Sequence, residues 1–277
     1  MKKYMSENFY DLLLDVMYNL YGKDIAEKRK KILSKLKTTS DKQRIIATYR
    51  EYGPEKKIIF DNKRHLLGFD NRTYDLQKNR FKQCKYDDYI LTTTNYDWVN
   101  PLDEKIDNIN NLISTLIPDN NEKELFLRVL STCLSGNHLE ETFFLTGDTD
   151  KIKIVNDLLL KALGNYATSY TNFTSLSEHN SQIRLVVIRY IHKNKLKSLI
   201  QKIITEYKII ATIIIECDYK PEDIEKSIEL RIKPNNIDCR KISHCTEYDE
   251  QQHNKCALIK ILMDAYQRYI NNDCVLE

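Results

Sequence analysis

The stretch FFLTGDTDKIKIVNDLLLKAL, Phe143 to Leu163, decides the fold. An apolar run, a glycine at 147 and then apolar residues at helical spacing read as strand, turn and helix. This is the layout of a phosphate-binding loop, G-x-x-x-x-G-K-[ST]. Counting from Gly147 puts the lysine at Lys153, the second glycine position at Ile152 and the hydroxyl position at Ile154. Glycine is used in such a loop because phosphate must reach bare backbone N–H groups, and the hydroxyl ligates magnesium. Isoleucine crowds the first and cannot do the second. Asp148 and Asp150 add two negative charges, which Lys151 and Lys153 cancel. The sequence therefore has the outline of a nucleotide loop without its chemistry.

Outward from this stretch, the C-terminal half alternates strands and helices. A helix is expected at 121–135, ended by Ser135-Gly136-Asn137, then a strand at Thr142–Thr146 and a helix from about 153 to 164. IRLVVIRYI (183–191) and IIATIIIEC (209–217) read as buried strands, LKSLIQKIITEY (196–207) as a helix, and CALIKILMDAYQRYI (256–270) as an amphipathic helix. That order predicts an α/β core with a largely parallel sheet. Pro101 and Pro118 bracket a further helical segment. Residues 56–95, with short apolar runs split by Asn, Asp and Gly, read as strands and turns. The N-terminal part is helical by its spacing: Phe9 to Leu20 forms one helix, capped by Ser6 and ended by Gly22, and 24–50 a second, strongly charged one.

The totals narrow the class. The chain has 277 residues, 43 basic and 40 acidic, for a net charge of +3. No global basic field marks nucleic-acid binding, so such binding must come from a local patch. The densest basic run is Lys28, Arg29, Lys30 and Lys31, with Lys35 and Lys37 beyond it, readable as a solvated helix face or as a phosphate-contacting one. Seven scattered cysteines do not form a secreted disulfide framework and fit reduced thiols. No apolar run approaches the roughly 20 residues that span a bilayer, and acids interrupt the basic N-terminus, so neither membrane nor signal peptide is expected. Cys239, His244, Cys245, His253 and Cys256 cluster near the C-terminus. Their spacing matches no familiar zinc pattern, which leaves Cys239, Cys245, His253 and Cys256 as a weak metal candidate beside the reading of a polar loop with incidental thiols. Trp98, Tyr96 and Phe81 read as core packing, with base stacking as the alternative, and Cys217 as a buried small residue.

The order of pieces resembles superfamily 3 helicases, most closely the primase–helicase type of poxviruses and other large DNA viruses. The resemblance rests on HLLGFDNRTYDLQKNRFKQCKYDDYILTTTNYDW (65–98), LRVLSTCLSGNHLEETFFLTG (127–147), KIVNDLLLKALGNYA (153–167), RLVVI (184–188) and TIIIECDYKPEDIEKSIELRI (212–232), and it covers roughly 60–235. It implies an N-terminal helical region (1–56), a linker leading into the helicase part (57–138) and a P-loop ATPase-like, AAA+-related domain with a C-terminal helix (139–277). It also implies a vestigial nucleotide site at Gly147 and Lys153, a sensor-like Asp218 and a finger-like Arg231. The departures are as informative. Arg189, Tyr190, Ile191 and His192 stand where the Walker B acids should be, Asp218 replaces an Asn, and the segment that would carry the DNA-gripping hairpin is only KNKLKSLIQKIITEYKII. Resemblance and departures together imply a catalytically degenerate helicase-like protein of a large DNA virus, acting in replication by binding nucleic acid or a helicase partner, in the host cytoplasm or virion. No cofactor is expected on that reading. Two alternatives stay open: an active, divergent ATPase using ATP and magnesium, and a virion structural or assembly protein on a recycled fold.

Overall fold

Strand formation follows the β-branched and aromatic runs, and helix formation follows the caps. The computed structural model describes residues 59–136, 142–171, 182–189, 211–217, 227–233 and 248–271, with Ser40 and Gln43. The chain divides between Ile58 and Ile59 into two units, and the elements described belong to the second. The helices expected at 9–20, 24–50 (apart from Ser40 and Gln43) and 196–207 lie outside the described residues.

Three short antiparallel strands come first: β1 (Leu66–Gly68), β2 (Thr73–Asp75) and β3 (Arg80–Lys82), in the order β1-β2-β3. Two helices come next. α1 (Asp103–Leu116) starts just after Pro101 and stops before Pro118, as the fixed proline φ and its missing N–H dictate. α2 (Asn120–Ser131) is capped by Asp119, whose carboxylate accepts the N–H groups of Asn121 and Glu122 at 2.9 Å each. A 3-10 turn, Thr132–Leu134, carries the chain on to Gly136.

The second sheet is built from β4 (Thr142–Gly147), α3 (Thr149–Leu163), β5 (Ala167–Tyr170), β6 (Leu185–Ile188), β7 (Thr212–Glu216) and β8 (Ser227–Ile232), and α4 (Tyr248–Asn271) closes the described part. All its strand pairs are parallel, in the order β5-β6-β7-β4-β8. This is the α/β, P-loop-like arrangement that the alternation of strands and helices predicts. Phe143, Leu145, Leu185, Val187, Ile214, Leu230 and Ile232 put one face of the sheet into the main core with residues of α1 to α4. The other face, with Phe144, Val186, Ile213 and Ile215, is buried too, as a parallel sheet requires. β1 and β2 share the main core through Leu67, Phe69 and Tyr74, joined by Tyr96 and Trp98. The aromatic trio expected from the sequence is thus core: Phe69 lies edge-on to Tyr96 and Trp98, with centroids 5.8 and 5.1 Å away, and Phe81 packs against the same cluster. α4 is pinned to the first part of the unit by Gln252 Nε2 donating to the Asp97 carbonyl (2.6 Å) and Gln267 Nε2 to the Leu76 carbonyl (2.8 Å).

One side chain ties the two sheets together. The fully buried guanidinium of Arg184, at the start of β6, donates to the carbonyls of Leu134, Leu66 (2.6 Å) and Arg64 (3.2 Å), and lies 4.3 Å from the centre of the Tyr166 ring. Burial pulls its pKa down, yet a guanidinium keeps its proton. Replacing Arg184 by Met removes the charge and orphans three carbonyls. Hydrogen bonds to a buried charge are each worth about 1.5–3 kcal/mol, so Arg184→Met is expected to destabilise the fold by roughly 3 kcal/mol or more, read as a lower urea midpoint. Arg184→Lys, which cannot reproduce the fork, recovers only part of the loss.

Candidate functional site

In an open parallel sheet, ligands bind beyond the carboxyl ends of the strands, where neighbouring connections leave in opposite directions. Here that point lies between β4 and β7. The connection after β4 runs to the β5 edge, and the one after β7 crosses to β8 on the other side. The residues facing it come from the end of β4, the first turns of α3, and the ends of β6 and β7.

At the end of β4, Gly147 has φ +113°, and a Cβ there would sit 2.0 Å from the carbonyl oxygen of Ile232. Only glycine fits, and the reason is this close packing on β8 rather than access for phosphate. Asp148 then caps α3: its carboxylate accepts the Lys151 N–H at 3.2 Å, and its carbonyl accepts the Ile152 N–H at 2.9 Å. The helix starts at Thr149, four residues earlier than the spacing of a phosphate loop implies. Between strand and helix stands Asp148 alone. The positive end of the helix, a ready anion site, is met by the chain's own carboxylate. Lys151 folds back on it, Nζ 3.6 Å from Asp148 Oδ2, and is buried. Ile152, at the second glycine position, is 4% exposed and part of the core, and Ile154 packs against that core. Lys153 is exposed on the helix surface.

Beyond this turn the structure assembles a polar group that sequence reasoning missed. Asn156 is fully buried, and its Nδ2 donates to Glu216 Oε1 at 2.7 Å. Glu216, 7% exposed, ends β7. Burial is the largest influence on its carboxyl and raises its pKa, while the Asn156 hydrogen bond and the positive charges of Arg189 and Lys153 oppose the rise. Arg189, which follows β6 at the position where the sequence resemblance expects acids, pairs with Asp157 of α3, Nη2 to Oδ1 2.5 Å. Asn156 Oδ1 and Arg189 Nε have no hydrogen-bond partner among the described residues. The signal for Glu216 was present in the sequence: a lone acid ending the apolar run TIII. Asn156 and Asp157 gave no signal, because polar residues on a helix are ordinary.

The remaining candidates lie apart. Arg231 is exposed on the edge strand β8, in register with Thr146, whose hydroxyl donates to Glu229 at 2.6 Å. It lines a cleft of about 200 Å³ with Ile117, Glu122, Leu125, Phe126, Glu229 and Leu230. Cys256 is a core residue of α4 whose thiol is pushed up to about 11 by burial, and His253 lies one turn before it. Among the described residues, no group of three His, Cys, Asp or Glu side chains could hold a metal. Asp218, Lys28, Arg29, Lys30, Lys31, Cys239, His244 and Cys245 lie outside the described residues. No described helix is long and apolar enough to cross a membrane.

Glu216 yields a pH test. A carboxyl whose folded pKa is raised stabilises fully below its unfolded pKa, and that contribution is lost as pH rises through the folded value. Glu216→Gln keeps an acceptor for Asn156 and removes the buried charge. The variant is expected to be more stable than the parent at neutral pH, with the gap closing as pH falls below the ordinary carboxylate range. Urea midpoints across pH measure it, and a gap that widens in acid contradicts it.

No protein-family model matches the chain. Over 142 residues it is 32% identical to "Putative helicase L207/L206" of Acanthamoeba polyphaga mimivirus, an alignment covering 49% of this chain and 15% of that relative. Solved apo structures of the NrS-1 C-terminal region align over 80–82% of this chain and 59–60% of theirs, with identities of 13% and 16% and TM-scores of 0.44 and 0.43. The strand order, not these overlays, carries the fold assignment. In sequence, the chain is similar to one part of a much longer viral protein named as a helicase.

Proposed function

We propose that this chain is a helicase-like component of viral DNA replication that acts without hydrolysing nucleotide, by binding nucleic acid or an intact helicase partner. One observation carries the reading: α3 begins at Thr149, directly behind its cap Asp148, where a phosphate loop would need several free backbone N–H groups. Phosphoryl transfer depends on positioning and on charge stabilisation by that loop, its lysine and magnesium. Here the lysine at 153 is on the outside of a formed helix, and Arg189 stands where a metal-holding acid would be. The similarity to a viral protein named as a helicase supplies the replication context. Since the chain spans 15% of that relative, the reading concerns this chain's residues and not the whole of a longer protein. Arg231, exposed on an edge strand, is the candidate contact to a neighbouring subunit.

A second reading, an active but divergent ATPase, has one observation in its favour: the buried Glu216 carboxylate at the topological switch point, close enough to Lys153 to feel its charge. One measurement separates the two. A site of micromolar affinity would stabilise the protein by about 4 kcal/mol in millimolar nucleotide. Thermal unfolding with and without magnesium-ATP is expected to show no shift, and phosphate release no rate above background. A shift that disappears in Lys153→Ala and Glu216→Gln would establish the divergent enzyme. Binding to the helicase of the same genome, measured with the parent and with Arg231→Ala, tests the partner arm.

A further inference from the structure

Of the six acids in residues 59–98, Asp61, Asp75 and Asp88 are buried, while Asp70, Asp87 and Asp97 are exposed. Asp61 is buried and accepts the N–H groups of Leu91 (2.8 Å) and Thr92 (3.1 Å) and the Thr92 hydroxyl. Asp75 is buried and accepts the N–H groups of Gln77 and Lys78, closing the turn between β2 and β3. Asp88 is buried and accepts the Lys85 N–H (2.9 Å) and Lys82 Nζ (2.6 Å). These carboxylates are consumed inside. The eleven residues LQKNRFKQCKY (76–86) hold four cations, two aromatics and no acid, but Lys82 is paired with Asp88, Lys78 lies 4.0 Å from Asp75, and Phe81 packs on the core. Lys78, Arg80 and Lys85 are exposed, as is Arg72, whose guanidinium lies 5.6 Å from the centre of the Phe81 ring. Tyr86 is 93% exposed. Its turn is held against β3 by the Lys82–Asp88 pair and the Lys85 N–H bond, so the ring is carried on a fixed support. Asp87, next to Tyr86 in the chain, is an exposed acid.

Exposed cations on the same short segment as a presented aromatic face match single-stranded nucleic acid: phosphates take the charges, and an unpaired base takes the ring. A duplex hides its base faces, so it could use the cations but not Tyr86. We propose that β3 and the turn after it, with Arg80, Lys85 and Tyr86 at its centre, form a surface that binds single-stranded nucleic acid without reading sequence. This deepens the nucleic-acid arm of the proposed function and rests on that reading for its biological setting, but the chemistry stands on the local geometry.

The test uses the full chain and a fluorescent oligothymidylate of about 20 nucleotides, a length that spans several single-strand site sizes, with anisotropy read over a range of salt. The parent is expected to bind, with affinity falling linearly on a log–log salt plot. Arg80→Glu with Lys85→Glu, checked for folding by circular dichroism, is expected to weaken binding at least tenfold and to flatten the slope by about 1.4, two contacts at roughly 0.7 each. Tyr86→Ala should weaken binding about fivefold or more, as the loss of one stacked base does, and leave the slope unchanged. A duplex of equal length should bind more weakly and ignore Tyr86→Ala. Parent-like binding by the charge-reversed variant overturns the proposal. If neutralising Lys28 to Lys31 then abolishes binding, the proposed function survives with its nucleic-acid contact elsewhere. A duplex preference, or no oligothymidylate binding by the parent, also overturns this surface, and in the latter case the partner arm of the function remains to be judged by the helicase assay alone.

Discussion

Arg184 is the constraint on which the rest of the described structure depends. Its backbone belongs to the parallel sheet: its N–H donates to Tyr166 and its carbonyl accepts from Thr212, both at 2.8 Å. Its side chain leaves the sheet and meets carbonyls of β1, of the segment before it and of the turn after α2. Tyr166, the ring beneath the guanidinium, accepts the Gly68 N–H at 3.0 Å and donates to the Thr92 carbonyl. Gly136 completes the contact, since a Cβ there would come within 2.5 Å of Arg184 Cα. A buried cation held only by carbonyl dipoles and a ring face is costly unless every donor is used. That cost is avoided while these segments hold the carbonyls and the ring around the guanidinium.

This clamp sets the placement of the candidate site. With β6 fixed at its start, its other end delivers Arg189 beside α3, and the pairing with Asp157 turns the charge toward the helix. The helix is in turn locked by Asp148 at its first residue and by Asn156 on Glu216 in its second turn. A nucleotide loop keeps its N–H groups unsatisfied until phosphate arrives. Here the Asp148 carboxylate takes the Lys151 N–H at folding. The strand–turn–helix unit thus has at its helix N-terminus a carboxylate that supplies locally the kind of stabilisation a bound anion brings.

How much of this was legible depended on the signal each residue sends. The apolar runs at 143–146, 185–188 and 212–216 announced their strands, and Gly164 ended its helix where the sequence placed the end. The start of α3 was misplaced by four residues because the count followed a loop spacing and not the cap. Asp148, with a helical apolar pattern opening at Ile152, was the better guide. Ile152 looked like a damaged glycine but is a core residue of a longer helix. Arg184 was invisible, since a buried arginine before a strand carries no periodicity. Trp98 and Tyr96 were legible as core because aromatic residues usually are.

The near-balance of 43 basic and 40 acidic residues conceals the arrangement that matters at the surface. Asp61, Asp75, Asp88, Asp119 and Asp148 each accept backbone N–H groups, and three of them are buried. A carboxylate used as a cap or turn acceptor is a structural part, and much of its field is spent on the dipoles it faces. Lysines and arginines have long stems that let their heads reach water, and apart from buried Arg184 and Lys151 the described ones are exposed or half-buried. Counting charges along the sequence weights both kinds equally. Folding does not, and a chain that is almost neutral in sum exposes Arg80 and Lys85 at β3 and the turn after it while Asp75 and Asp88 beside them are buried.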